Sequence, residues 1–184
     1  MIRICISGLS ASGKTSLGSD IAKKLNITHI SKYDAGIYKT IMKGTGAWPS
    51  KDAWLSETAA LESKYANEFD KEIVDYAKNK NCVVTTWLGA WFIKDATLRV
   101  WLNASFEERV RRRAKEDRIT AESMKSLLKR KDELTTKNFK KVYGIDVMDH
   151  SLFDMEINTE RVQREDIIAT VAMLALAKDK LRFI

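Results

Sequence analysis

Ile2-Arg3-Ile4-Cys5-Ile6-Ser7-Gly8-Leu9-Ser10-Ala11-Ser12-Gly13-Lys14-Thr15-Ser16 is the stretch from which the rest of the chain can be read. Its first six residues are rich in β-branched side chains and predict a strand. Residues 8–13 predict a turn, and Leu17, Ile21, Ala22 and Leu25 then recur at helical spacing. Gly8 to Thr15 satisfies the pattern G-x-x-x-x-G-K-[ST] in the place that pattern requires, after a strand and at the opening of a helix. Gly8 and Gly13 permit backbone angles and close approaches that a Cβ would obstruct. The successive N–H groups and the helix N-terminus then form an anion cradle. Lys14 is placed to reach the β- and γ-phosphates of a nucleoside triphosphate, and the Thr15 hydroxyl to ligate Mg2+. Gly8, Leu9, Ser10, Ala11, Ser12, Gly13, Lys14, Thr15 and Ser16 are therefore expected to hold the triphosphate.

Downstream, strand and helix patterns alternate. Thr28 to Ile30 reads as a short strand and Ala35 to Met42 as a short helix, interrupted by Gly44-Thr45-Gly46 and by Pro49. Lys51 to Lys80 reads as a long helical segment, with Leu55, Leu61, Tyr65, Phe69, Ile73 and Tyr76 as core contacts. Cys82 to Thr86 and Leu98 to Leu102 are nearly continuous apolar runs, as buried parallel strands are. Trp87 to Trp91 reads as the loop between them. Ser105 and Thr120 are expected to cap two helices, the second running to about Lys141. Met155 to Ile157 predicts a last strand, and Arg164 to Leu181 a closing helix. Alternation of this kind predicts an α/β fold with a parallel sheet.

The chain has 184 residues, 45% of them hydrophobic, which suits one domain with a real core. Cys5 and Cys82 lie inside strand-like runs and read as buried, reduced thiols. Two histidines are too few and too scattered for a zinc site. The longest strongly apolar run, Ile167 to Ala177, is roughly half of a bilayer span, and no signal-peptide layout opens the chain. A cytoplasmic protein without a membrane segment is expected. The net charge of +7 points to an anionic ligand, either nucleotide phosphates or a nucleic acid.

Arg109, Arg111, Arg112, Arg113, Lys115 and Arg118 crowd one predicted helix. The guanidinium fork suits phosphate oxygens. Arg109, Arg112 and Arg113 share a face at i, i+3 and i+4 while Arg111 points elsewhere. A solvated charged face is the alternative reading.

These motifs resemble the nucleoside monophosphate kinases, and among them the archaeal-type cytidylate kinases. The likeness extends over Phe139-Lys140-Lys141-Val142-Tyr143-Gly144-Ile145-Asp146, Ser151-Leu152-Phe153-Asp154 and Ile157-Asn158-Thr159. It implies a P-loop NTPase-type three-layer fold: five parallel strands, helices on both faces and a helical lid. It implies one kinase domain over residues 1–184, with the phosphate loop at 8–16, an acceptor-binding region at about 34–80 and a lid at about 109–141. It also implies γ-phosphoryl transfer from ATP to CMP or dCMP with Mg2+. Lys14, Arg109, Arg112 and Arg113 would be catalytic, and Asp34, Gly36, Lys39 and Trp87 would lie in the acceptor site. A monomer that binds ATP and a nucleoside monophosphate, and no nucleic acid, is the expected state. Three positions where the family carries arginine read Lys39, Trp87 and Asn138 here. Those replacements keep two further readings open: a kinase for another small acceptor, and a nucleotide-responsive or RNA-binding protein with little transfer activity.

Overall fold

Five short strands keep most of their side chains out of solvent. They are β1 (Arg3–Ser7), β2 (Thr28–Ser31), β3 (Cys82–Thr85), β4 (Leu98–Asn103) and β5 (Met155–Asn158). In the computed structural model, which describes residues 1–34 and 66–181, they form one parallel sheet in the order β2-β3-β1-β4-β5. Parallel strands need crossovers, so both faces of the sheet must be covered. α1 (Lys14–Leu25), α2 (Ala66–Ala77), the single turn α3 (Gly89–Phe92) and α6 (Arg164–Leu181) cover them, while α4 (Phe106–Asp117) and α5 (Ala121–Tyr143) pack on each other.

The pleat sorts side chains between the two layers by their parity in the strand. Ile4, Ile6, Val83, Leu98, Val100 and Leu102 pack with Leu17 and Ile21 of α1 and with Ile167, Val171 and Ala175 of α6. Cys5, Cys82 and Val84 point the other way, into a cluster with Ile30, Ile73 and Ala77 of α2 and Ala90 of α3. Both thiols are fully buried, and burial pushes Cys5 up to about 12 and Cys82 to about 11, so neither is a nucleophile at neutral pH. A third, smaller cluster of Val110, Ala114, Met124 and Leu128 joins α4 to α5. Arg118, at φ 55, makes the tight turn between these two helices. No helix among the described residues is long and apolar enough to cross a membrane.

Several predicted elements recur with small differences. The two capping residues do what their chemistry allows. Ser105 accepts from the Glu108 amide, and Thr120 accepts from the Ser123 amide. The predicted loop 87–91 instead contains the α3 turn. Tyr76, read as a core contact, is 39% exposed and lies beneath the Lys80 ammonium, 5.7 Å from its ring centroid. Its neighbour Ile73 takes the core position on α2. The helix expected over 35–42 and the core contacts expected from Leu55, Leu61 and Tyr65 lie outside the described residues.

One close approach ties α1 to the sheet. A Cβ at Gly18 would run into the Thr85 methyl group on β3. Alanine is otherwise favoured over glycine in a helix by about 1 kcal/mol, while overpacking costs about 1–3 kcal/mol. Gly18→Ala is therefore expected to lower unfolding free energy by about 1 kcal/mol. In a Thr85→Ser background the same substitution should become neutral or stabilising. Urea denaturation of the four proteins in that cycle measures both effects.

Candidate active site

Because all five strands run the same way, the segments that follow them meet along one edge of the sheet. Open parallel sheets bind ligands at that edge, where neighbouring connections depart in opposite directions. Here β1 sits between β3 and β4, and residues 8–13 leave its end. Gly8 has φ 148, and a Cβ there would strike the Leu102 carbonyl of β4 and the Ser12 hydroxyl. Ala11 (φ 63) and Gly13 (φ 99) are also left-handed, so the loop curls back on itself, with the Ser12 amide donating to the Leu9 carbonyl at 3.2 Å. Gly13 is the N-cap of α1 but offers no side chain to cap it. The amides of the first turn are left for an anion, and the helix dipole adds its positive end.

Lys14 bends over this loop. Its Nζ donates to the Leu9 carbonyl at 2.9 Å and lies 5.1 Å from the ring centroid of Trp87. Burial pushes its pKa down to about 7, and Lys131, Lys32 and Arg109 push the same way while Asp132 opposes them. Cations gathered around an uncapped helix N-terminus are costly without an anion, which is the electrostatic character of a phosphate site.

The arginines of α4 divide. Arg109 is buried at 4% exposure; its guanidinium donates to the Ser10 carbonyl at 3.2 Å and to Asp132 Oδ2 at 2.6 Å. Arg112 reaches Thr159 at the end of β5, donating to its hydroxyl at 2.8 Å and its carbonyl at 2.9 Å. Thr159 Oγ1 in turn lies 3.3 Å from the Ser12 carbonyl, so Arg112 bears on the phosphate loop through Thr159. Arg113 pairs with Glu116 and Asp117 near the end of its own helix. Arg111 is exposed and pairs with Glu108, whose carboxyl is held down at about 2, first by that hydrogen bond. The face shared at i, i+3 and i+4 thus sets Arg109 directly against the loop and Arg112 against it through Thr159.

Other expected site residues are placed as follows. Thr15 and Ser16 are exposed in the first turn of α1. Asp34 ends a 3-10 turn after β2, where its Oδ2 accepts from the amide and hydroxyl of Ser31, both at 2.8 Å. Gly36 and Lys39 lie outside the described residues. Trp87 sits beneath Lys14 and packs on Phe139 with ring centroids 5.8 Å apart. Trp91 is turned away to an edge-on contact with Phe153.

Three residues, Asp132, Lys131 and Thr135, have a place here that no motif announced, and Thr159 of the stretch that carries the likeness joins them. Asp132 receives Arg109, and Thr159 links Arg112 to the loop. Lys131 and Thr135 are buried on α5 at 6% and 7% exposure. The stripe Met124, Leu128, Lys131, Thr135, Asn138 follows helical spacing, and it changes from apolar to polar as it passes from the α4 contact towards Trp87. Polar side chains at core-facing positions are a signal readable in the sequence. Ser12 Oγ, Thr86 Oγ1, Asp132 Oδ1 and Asn138 Nδ2 are buried with no hydrogen-bond partner among the described residues, although buried polar atoms are normally satisfied. Beyond this stripe, Tyr143 donates its hydroxyl to Asp70 at 2.7 Å, joining α5 to α2.

The arrangement matches sequence relationships over the same residues. Residues 3–161 match the cytidylate kinase-like family. The chain belongs to this family. A cytidylate kinase of Pyrococcus horikoshii is 30% identical over 168 residues, covering 91% of this chain and 85% of its own. That of Sulfurisphaera tokodaii is 33% identical, covering 89% of each chain. Among solved structures, a gluconokinase from Sinorhizobium meliloti superposes with a TM-score of 0.59 at 17% identity, over 99% of this chain and 96% of its own. A shikimate kinase from Acinetobacter baumannii gives 0.55 at 17% identity, over 96% and 94%. These two share the fold, the α/β architecture of P-loop kinases. As a member of the cytidylate kinase-like family the protein is an ATP-dependent kinase.

The donors around the loop also suit Mg2+. No group of three or more His, Cys, Asp or Glu side chains among the described residues forms a metal cage. Mg2+ retains water and takes phosphate oxygens, so a single hydroxyl such as that of Thr15 is a sufficient protein donor.

The depressed pKa of Lys14 has a measurable consequence. At pH 8 a group with a pKa near 7 is only about one-tenth protonated, and a bound phosphate favours the ammonium form. Nucleotide binding at pH 8 is expected to take up close to one proton, a fraction that shrinks towards pH 6. Titration calorimetry in buffers of different ionisation enthalpy reads this directly, and Lys14→Met should abolish the uptake.

Proposed function

We propose that this kinase transfers the γ-phosphoryl group of ATP to CMP or dCMP. The observation that carries phosphoryl transfer is Lys14, held over an uncapped helix N-terminus with its ammonium among other cations. The cytidine acceptor is supported by the curated relatives, which are named cytidylate kinases.

Phosphoryl transfer asks a protein mainly for positioning and for positive charge around the migrating group. A nucleoside monophosphate is already anionic at neutral pH, so its phosphate oxygen attacks without a general base. Lys14 would neutralise the β- and γ-phosphate oxygens, and the loop amides would fix their orientation. Arg109 and Arg112 hold the loop from behind through Ser10 and Thr159. Reorientation of Arg109 from Asp132 onto phosphate would give its guanidinium a direct part. Arg113 would join only through a larger movement of α4. Bound magnesium, held through Thr15, would supply further charge neutralisation at the phosphates. On the acceptor side, Asp34, Gly36 and Lys39 would contact the monophosphate substrate, with Trp87 and Phe139 offering an aromatic wall for its base. The α4–α5 pair would exclude water and limit ATP hydrolysis.

A second reading is favoured by Trp87 and Asn138, which stand where the family resemblance implies arginines; Trp87 lies beneath Lys14. Loss of a bidentate phosphate partner suits a smaller or less anionic acceptor, such as an alcohol.

A coupled ADP-release assay with Mg-ATP separates the two. CMP or dCMP is expected to stimulate turnover at least tenfold over ATP alone. Lys14→Met should lower kcat by about 100-fold or more, and Trp87→Ala should raise the acceptor KM with little change in kcat. Stimulation by small alcohols and by no monophosphate would instead establish the second reading.

A further inference from the structure

α6 begins with a cation where helix electrostatics favour an anion. Arg164 is its first residue, and the side chain reaches back to α1. Its Nε and Nη2 donate to Asp20 Oδ2 at 3.1 and 2.6 Å, and its Nη1 donates to the Ser16 hydroxyl at 3.4 Å. Ser16 and Asp20 stand four residues apart on one face of α1, so the guanidinium lies along that face with Nη1 towards the phosphate loop. The positive ends of two helices therefore meet at one cation. Glu165 and Asp166 offset it at the start of α6, and Asp20 offsets it beside α1. The first turn of α1 carries no acid and no side-chain cap. An anion is the ligand that such a corner selects.

The connection from β5 to α6 also touches the loop at its other end, where Thr159 Oγ1 lies 3.3 Å from the Ser12 carbonyl. Residues 159–164 thus run alongside the loop from Ser12 to Ser16, and Arg164 is the cation that they set against Ser16. Both of these side chains are exposed, so a ligand can reach them. Lys14 is placed for the β- and γ-phosphates and Thr15 for Mg2+, which leaves the α-phosphate to the loop amides and to the group facing Ser16. A guanidinium has five N–H donors; three are engaged here, and the others are available to phosphate oxygens. We propose that Arg164 is a donor-binding residue whose guanidinium takes the α-phosphate of ATP, held over Ser16 by Asp20. This rests on the reading of residues 8–16 as the triphosphate site and is independent of the acceptor.

Titration calorimetry of the full chain with Mg-ATP tests it. Arg164→Gln should raise the dissociation constant about tenfold, and Arg164→Lys, which keeps the charge without the fork, should fall between. Lys23 approaches the other oxygen of Asp20 at 3.7 Å, so Lys23→Gln removes an equal charge nearby and should change binding by less than about twofold. Asp20→Asn removes the same ion pair between α1 and α6, yet its amide oxygen still accepts from Arg164, and binding should be as tight as in the wild type or tighter. Asp20→Asn weakened as much as Arg164→Gln would make the pair a structural brace and overturn the proposal. Kinetics with the two diastereomers of ATP carrying sulfur on the α-phosphate give a second readout. The ratio of their KM values should change at least about threefold in Arg164→Gln and stay constant in Lys23→Gln; a constant ratio in both overturns the α-phosphate contact. Lys14→Met tests the loop itself. If it binds Mg-ATP as the wild type does, the triphosphate reading falls and the proposal with it; if it loses binding while Arg164→Gln does not, the proposal alone falls.

Discussion

Positive charge gathered around one loop is the constraint on which this structure depends. Lys14, Lys32, Lys131 and Arg109 act on one another around a loop whose helix has no side-chain cap. Such a cluster survives in a folded protein only where packing elsewhere over-determines it. Three buried clusters do this here: two clamp the sheet and one joins α4 to α5. Asp132 offsets part of the repulsion and parks Arg109 against the Ser10 carbonyl. The cost of this assembly is also its use, because a phosphate arriving at the loop relieves it.

The same constraint explains how the site is braced. Gly8 lies so close to the Leu102 carbonyl that the loop is tied to β4 by shape alone. Thr159 ties it to β5 and, through Arg112, to α4. Loop, sheet edge and α4 are thus tied together by direct contacts, with Lys14 and Arg109 set against the loop. Partnerless Ser12, Thr86, Asp132 and Asn138 atoms border the same region, where substrate oxygens and nitrogens would satisfy them.

How much of this was readable in advance depended on the range of the signal. The phosphate loop was legible because its glycines and lysine answer to local backbone geometry, and Gly8 and Gly13 adopt the positive angles their type suggests, although Ala11 does so without such a signal. The capping of α4 by Ser105 and of α5 by Thr120 was legible for the same reason. Helical spacing correctly grouped Arg109 with Arg112. It could not tell that Arg113 would turn to Glu116 and Asp117, since both outcomes satisfy the same spacing. Tyr76 was misread for a related reason: an aromatic ring at a periodic position packs a core only if something lies opposite, and here the solvent and Lys80 do.

By itself, the sequence determined most element types among the described residues, the parallel sheet and the strand–loop–helix that carries Gly8 to Thr15, because strand alternation, helix caps and the glycine–lysine loop act within a few residues. Only the tertiary structure decided that Asp132 would meet Arg109, that Thr159 would join Arg112 to the loop, and that Trp87 would lie under Lys14 while Trp91 turned to Phe153. Those pairs bring together groups separated by tens of residues. Their distances follow from the order in which β1, β3, β4 and β5 sit in the sheet and from the way α5 crosses its edge. No local pattern encodes that order, because it comes from the packing of two layers of helices on a five-stranded core.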